Sequence, residues 1–318
     1  MADKRIGVAA MGGDAKAVVN RIKQLEKMGV PAAWLTTGGA GLDGLTVFSA
    51  AAVQTESILL GTCITPTWPR HPVAAVQQVQ VIANLAPGRF RFGVGPSHSG
   101  GMQTVFGADF RAPLTNVREY VHVVKTLLGT GAVDFDGKQY HAHARIAEPM
   151  SDVPVMSAAL RKRSFEFCGA EADGAISWVC PGAYLRDVAI PAMESGAQKA
   201  GRDAPPLITH APVCVHDDPA EARAAFRQQM GFYPQAPFYA RMFAEAGFPE
   251  AEETHEWSDA MLEAVLISGD EETVAAGLRR LFDWGSGEVL VSVITAGADP
   301  DASWRRTAEA LVQVQRTL

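Results

Sequence analysis

Three groups of side chains in this sequence have types and spacings that could do chemistry. His98 follows Gly93-Val94-Gly95-Pro96-Ser97. With a reference pKa of about 6.5, an imidazole there could give or take a proton near neutrality. General acid–base help of that kind is typically worth about 10²–10⁴ in rate. Arg161-Lys162-Arg163 is the most basic cluster of a chain whose net charge is −7, and it suits an anion. The third group is Thr62-Cys63-Ile64-Thr65, a cysteine among small hydroxyl residues. Each has a plainer reading beside the chemical one: a loop histidine, a solvated charged face, a buried strand end. His71 has a structural reading first. It precedes Pro72 at a helix start, where a ring nitrogen can satisfy an exposed backbone group, and with Arg70 it would fix the loop.

Other chemistries lack their residues. No acids stand at metal-ligand spacing near these groups. His141-x-His143 falls within an insertion, so no metal is expected. There is no Gly-x-Ser-x-Gly elbow, and Gly93-Val94-Gly95 lacks the rest of a dinucleotide fingerprint. The acidic balance leaves no footprint for nucleic acid or an anionic membrane. Cys63, Cys168, Cys180 and Cys214 form no Cys-x-x-Cys pair and read as reduced thiols. Met-Ala-Asp-Lys-Arg at the N-terminus shows no signal-peptide apolar region, and no run of 18 apolar residues occurs. The expectation is a soluble, cytoplasmic protein with a small-molecule substrate and a site made for an organic cofactor.

The elements that must position these groups alternate. Strand candidates are 6–10, 33–37, 58–65, 90–95, 153–159, 174–178, 208–215 and 289–294, each followed by a helical pattern. Asp14 and Asn116 read as N-caps, 46–54 as a helix, and Pro72 as a helix opener. Pro212 weakens the seventh strand, because proline cannot donate to a ladder. Strands separated by helix-length crossovers imply a parallel sheet, and eight such units imply a closed (β/α)8 TIM barrel. Its 318 residues, 47% hydrophobic, suit one barrel domain over 1–318 with loop insertions at about 132–149 and 217–268. The second insertion concentrates Phe232, Tyr233, Phe238, Tyr239, Phe243, Phe248 and Trp257.

In such barrels the site lies at the C-terminal strand ends. That singles out Thr36, Thr37, Gly38 and Gly39; Thr62, Cys63 and Ile64; Ser97 and His98; Ala158, Ala159, Leu160 and Arg161; and Trp178. Glycine there lets backbone approach a flat ring closely.

Here a resemblance becomes specific. Leu60-Gly61-Thr62-Cys63-Ile64-Thr65-Pro66, then Arg70-His71-Pro72, then Gly88-Arg89-Phe90-Arg91-Phe92-Gly93-Val94-Gly95 resembles the luciferase-like flavin and F420 oxidoreductases. Pro96-Ser97-His98, Phe106-Gly107, Pro113-Leu114, Arg118-Glu119-Tyr120 and Val133-Asp134-Phe135-Asp136-Gly137 are similar to the F420-dependent branch. So are Ala158-Ala159-Leu160, Ala172-Asp173-Gly174, Ala200-Gly201-Arg202 and Pro212-Val213-Cys214-Val215.

The resemblance implies coenzyme F420, with FMN as the alternative. It also implies a non-proline cis peptide at Cys63–Ile64 against the deazaflavin ring. His98, where sugar-phosphate-oxidising relatives carry glutamate, becomes the proton partner, and Trp178 a pocket wall. Arg161, Lys162 and Arg163 would meet the cofactor's phosphodiester and polyglutamate tail, although relatives usually show Gly-Pro at the first two. No histidine stands at the second strand end, where some relatives keep a catalytic one. The implied activity is hydride transfer between the deazaflavin C5 and a small, mostly apolar activated C=C, imine or carbonyl compound. An FMN-dependent monooxygenase and a non-catalytic flavin- or deazaflavin-binding protein are the other readings, and a homodimer is in keeping with the lookalikes.

Overall fold

The computed structural model describes residues 4–318, so Met1–Asp3 of the N-terminal stretch read above lie outside it. Eight strands run in parallel: β1 (Arg5–Ala9), β2 (Ala32–Leu35), β3 (Leu59–Thr62), β4 (Phe90–Gly95), β5 (Val155–Ala158), β6 (Ala175–Trp178), β7 (Leu207–Val215) and β8 (Glu288–Val293). Each pairs with the next, and β8 returns to β1 from Arg5↔Glu288 to Val8↔Val291, which closes the barrel. The outer helices are α1 (Ala15–Met28), α2 (Gly44–Ala52), α3 (Pro72–Leu85), α4 (Pro113–Thr130), α5 (Lys162–Glu171), α6 (Ile190–Lys199), α7 (Glu271–Asp283) and α8 (Pro300–Gln315).

Local chemistry sets the helix starts. Asp14 accepts from the Ala17 amide at 2.7 Å, as the sequence suggests. Asp43 does the same for Thr46, so α2 begins at Gly44, earlier than the apolar pattern implies. Asn116 is not a cap. Pro113, pre-set for a first helical position, starts α4 one turn earlier. Asn116 is instead buried, bonded to Thr67 Oγ1 and donating to the Tyr140 hydroxyl. His71 does close the start of α3, its Nδ1 accepting from Val73, while Arg70 pairs with Asp43 at 2.8 Å.

Period-two alternation divides the core into two shells. Outward residues such as Val8, Leu60, Phe92, Val155 and Val291 pack under the helices. Inward residues Ala9, Trp34, Met156, Ile176, Ile208 and Leu290 fill the barrel. The seventh strand is not weakened by Pro212. The His210 carbonyl accepts from Val179 at the end of β6, and the His216 amide donates to Gly269 of the short strand Ile267–Gly269. Pro212 points to that same edge in the gap between these two partners, where a missing N–H forfeits no ladder bond.

The two insertions differ in kind. Ala132–Asp136 and His141–Arg145 form an antiparallel hairpin between α4 and β5, at the N-terminal end of the barrel. Its tip reaches back to Thr67, through the Tyr140 hydroxyl at 2.9 Å. The 217–268 insertion follows β7 and builds a helical lid, which includes the helices Pro219–Met230 and Pro237–Glu245.

Deep in the barrel the Arg91 guanidinium lies over Trp34, with its carbon 4.2 Å from the ring centroid. Its Nη1 and Nη2 meet Glu288 at 2.5 and 3.2 Å, and the Trp34 indole donates to Glu288 at 2.8 Å. Removing one partner leaves the other charge buried and alone. Arg91→Met should therefore cost about 3–5 kcal/mol in urea unfolding, and the double variant Arg91→Met/Glu288→Met should recover much of it. A double variant less stable than the single would contradict this pairing.

Candidate functional site

The C-terminal strand ends meet at one mouth. At β3 the chain leaves Thr62, passes a cis peptide at Cys63–Ile64, and resumes as the short strand Thr65–Pro66. The cis bond is where the resemblance puts it, and its neighbours hold it in place. Thr36 Oγ1 donates to the Cys63 carbonyl at 2.8 Å, and the Thr37 amide donates to the Ile64 carbonyl at 3.2 Å. Thr37 Oγ1 also accepts from Gly44, which ties down the loop between them.

Thr62 does not face the mouth. Its hydroxyl is fully buried, donating to the Gly93 carbonyl at 2.7 Å and accepting from the Gly93 amide at 2.9 Å. A Cβ at Gly93 would stand 2.0 Å from the Thr62 carbonyl oxygen, so only glycine allows this contact. At Gly95 an added Cβ would lie 2.7 Å from the Ala158 Cβ and 3.2 Å from Ile64 Cγ1. Gly95 thus leaves the space between Ile64 and Ala158 free of a Cβ, an apolar cradle that suits a planar ring. Burial pushes the Cys63 thiol up to about 12, so it stays protonated and is no nucleophile.

His98 stands at the start of the helix Ser99–Phe106, just after Ser97, a non-glycine residue at φ +58°. Three lid rings surround its imidazole: Phe232 at 5.0 Å, Tyr239 at 5.8 Å and Tyr233 at 6.0 Å between centroids. Burial among them lowers the His98 pKa, and the ring is neutral at pH 7. Trp178 forms the adjoining wall, 5.5 Å from Tyr233 and 3.9 Å from the ring of His210. Val179 follows at φ +53°, so Ser97 and Val179, two of the three left-handed non-glycine residues among those described, lie at strand ends on the mouth, where such strain commonly gathers; the third, His255, is in the lid.

The basic run is split by the helical turn. Arg161 grips Glu245 of the lid, its Nε 3.0 Å from both carboxylate oxygens. Lys162 is exposed, and Arg163 turns outward into a groove with Leu114, Arg118 and Phe167. The amides of Leu160 and Arg161 both donate to Ser164 Oγ at 3.1 Å, while Ala159 is buried in the outer shell. Among the described residues no group of three or more His, Cys, Asp or Glu could hold a metal ion, and no helix is long and apolar enough to cross a membrane.

A family model for luciferase-like monooxygenases matches residues 2–288. The chain belongs to the luciferase-like monooxygenase family. A 5,10-methylenetetrahydromethanopterin reductase of Methanolobus tindarius is 26% identical over 220 residues, covering 68% of this chain and 66% of that protein. An F420-dependent glucose-6-phosphate dehydrogenase of Beutenbergia cavernae is 32% identical over 198 residues, covering 60% and 59%. In both, the match spans less than two thirds of the relative's length. Among solved structures, an F420-dependent secondary alcohol dehydrogenase in complex with an F420-acetone adduct has a TM-score of 0.81 over 98% and 97% of the two chains. At 18% identity that likeness speaks for the luciferase-like fold.

On this luciferase-like barrel the structure brings Thr36, Thr37, Cys63, Ile64, Ser97, His98, Ala158 and Trp178 to one mouth. Thr62 and Ala159 lie in its wall, and Lys162 and Arg163 point away. Sequence reasoning overlooked His210. Its signal is the period-two face Ile208, His210, Pro212, opposite the outward Leu207, Ala211 and Val213. The Tyr184 hydroxyl and Glu245, both near Arg161, carried no local signal at all.

His210 is buried, with Nε2 2.8 Å from Ser292 Oγ, and burial pushes its pKa down to about 3. The unfolded chain titrates near 6.5, so it binds the proton first. The stability His210 contributes by being neutral is complete above about pH 6.5 and is lost as pH falls toward 3. Between pH 6 and 5 the wild type should lose about 1 kcal/mol more unfolding free energy than His210→Gln. Parallel stability curves for the two proteins would refute this assignment.

Proposed function

We propose that this chain is an F420-dependent oxidoreductase. It transfers a hydride between the deazaflavin C5 and a small, mostly apolar compound with an activated C=C, imine or carbonyl. The observation that carries the reading is the pairing of two surfaces at one mouth. One is the Ile64–Ala158 platform with its cis peptide; the other is a neutral His98 enclosed by Phe232, Tyr233 and Tyr239. Relatives named for F420 support the cofactor.

When bound, the deazaflavin supplies a two-electron hydride carrier, and the protein's part is to hold, orient and exclude water. Ile64, Ala158 and Gly95 support the flat ring system; Thr36 and Thr37 keep that support in register by anchoring the Cys63 and Ile64 carbonyls. Arg161 and the start of α5 receive the anionic phosphodiester, and Lys162 and Arg163 face away from it. Tyr233, Tyr239 and Trp178 bury the reacting carbon. Burial holds both phenols protonated, so they present no charge to the substrate. The charge-free walls favour an apolar substrate over a sugar phosphate.

His98 handles the proton that accompanies the hydride. As the neutral base it accepts a proton when the substrate is oxidised, and as the acid it returns one when the substrate is reduced. Its lowered pKa sets the sign for the oxidative direction: activity falls as pH drops through a value below 6.5.

Equilibrium fluorescence titration tests the reading. The apo-protein should bind F420 with micromolar or tighter affinity and leave FMN unbound; the reverse preference would replace this proposal with a flavin monooxygenase. His98→Ala should keep F420 affinity while turnover falls about 10²–10⁴-fold, with loss of the acidic limb. Undiminished turnover in that variant would remove His98 from the chemistry, and a lack of turnover by the wild type against varied enones, imines and ketones would favour a binding protein.

A further inference from the structure

Glu245 ends the lid helix Pro237–Glu245, where its charge meets the negative end of the helix dipole. A carboxylate is disfavoured there unless a cation takes it up. Arg161 does so through Nε and Nη2, and Arg241, one turn back, lies 3.8 Å away. Arg161 is also the cap residue of α5, so the carboxylate it holds is tethered to the residue that opens the positive end of that helix.

Tyr184 supplies a second, independent observation. Its side chain is 4% exposed, and its hydroxyl has no hydrogen-bond partner among the described residues. That hydroxyl is directed at the Lys162 amide, with Arg161 and Glu245 close enough to influence it. A guanidinium, helix-start amides and a phenol therefore converge on one place. Glu245 satisfies only the first of them.

We propose that Glu245 is a tethered occupant of the anion site at the start of α5, displaced from Arg161 by the phosphodiester of the incoming cofactor. This rests on the F420 reading above. A carboxylate and a phosphodiester carry one negative charge each, so the choice between them turns on donors. The tetrahedral group can accept from Tyr184 and the Lys162 amide as well as from Arg161. Glu245, bound to the end of its helix, does not reach them. The pair it must leave is about a third exposed on both sides, which makes it a weakly held contact.

Exchange at Arg161 would be felt at the mouth. The helix that ends in Glu245 carries Tyr239 against His98, and Phe243 against Phe248 and Trp257. Glu245 thus pins the C-terminal end of this lid helix in the free protein, and cofactor entry frees that end while Tyr233 and Tyr239 stay over the mouth.

The test compares F420 titrations of the wild type, Glu245→Gln, Tyr184→Phe and a control, Glu263→Gln. The control removes the Arg223–Glu263 pair elsewhere on the lid. Glu245→Gln should bind F420 about 3- to 10-fold more tightly, Tyr184→Phe several-fold more weakly, and the control like the wild type. Hydrogen exchange supplies a readout independent of turnover. Saturating F420 should lower protection over residues 237–245 in the wild type, and protection in Glu245→Gln should already be low without it. Wild-type F420 binding with no gain in Glu245→Gln, or with unchanged protection of that helix, would overturn the tethered-anion proposal and leave the function standing. Absence of F420 binding in every variant would overturn both.

Discussion

Arg91 spends its charge inside the barrel, on the Trp34 face and the Glu288 carboxylate, and the strands at the mouth inherit their spacing from that contact. The three residues tie β2, β4 and β8 together across the interior. The glycines around them show how tightly the fit is drawn. A Cβ at Gly7 would come within 2.5 Å of the Trp34 indole nitrogen, and one at Gly61 within 2.5 Å of the same ring. Further along the same strands, β2 leads to Thr36, β4 leads to Ser97 and His98, and β8 delivers Ser292 to His210. A wider or narrower lower layer would misplace all of them, because interiors at this density transmit strain instead of absorbing it.

Compensated charge below permits an uncharged mouth above. Cys63 remains a thiol and His210 a neutral ring, each because burial penalises its ionised form. His98 is pushed the same way but less completely, and no carboxylate stands beside it to hold the proton. Of these two histidines, His98 is the one less completely enclosed, at the start of the helix Ser99–Phe106. Charge near the mouth is kept outside this apolar space, at the start of α5, where Arg161 is paired with Glu245. The split of Arg161-Lys162-Arg163 follows from the helix itself: each residue advances about 100°, so three consecutive bases cannot face one ligand.

Much of this was legible in the residues. Alternating short apolar runs and helical stripes specify eight strand–helix units, and strand-end position picks out the platform and His98. Where the reading failed, the cause was non-local. Asn116 resembles a cap, yet Pro113 competes for the helix start and the buried Thr67 and Tyr140 compete for the amide side chain. Pro212 looks incompatible with a ladder until the gap between β6 and Ile267–Gly269 is known. Thr62 looks like a mouth residue, but its hydroxyl is claimed from both sides by Gly93. The aromatic richness of 217–268 was visible; that Phe232, Tyr233 and Tyr239 fold back onto His98 was not, because the contact joins segments over a hundred residues apart.

That long-range contact divides the labour of the site. The platform is built from backbone geometry: a cis peptide, two glycines, and threonines that hold carbonyls in place. Such elements tolerate little change, since at Gly93 even one methyl group would overlap a neighbouring carbonyl. The opposite wall is built from side chains on an insertion that contributes only the short strand Ile267–Gly269 to the barrel sheet. Its rings can be resized without disturbing strand register, because the lid helices are anchored through their own cluster of Phe226, Phe243 and Trp257. The barrel thereby constrains what cofactor ring can lie at the mouth, while the lid determines which partner molecule can approach it. On that division, the chemistry proposed for the platform would be turned to different substrates by altering lid residues alone.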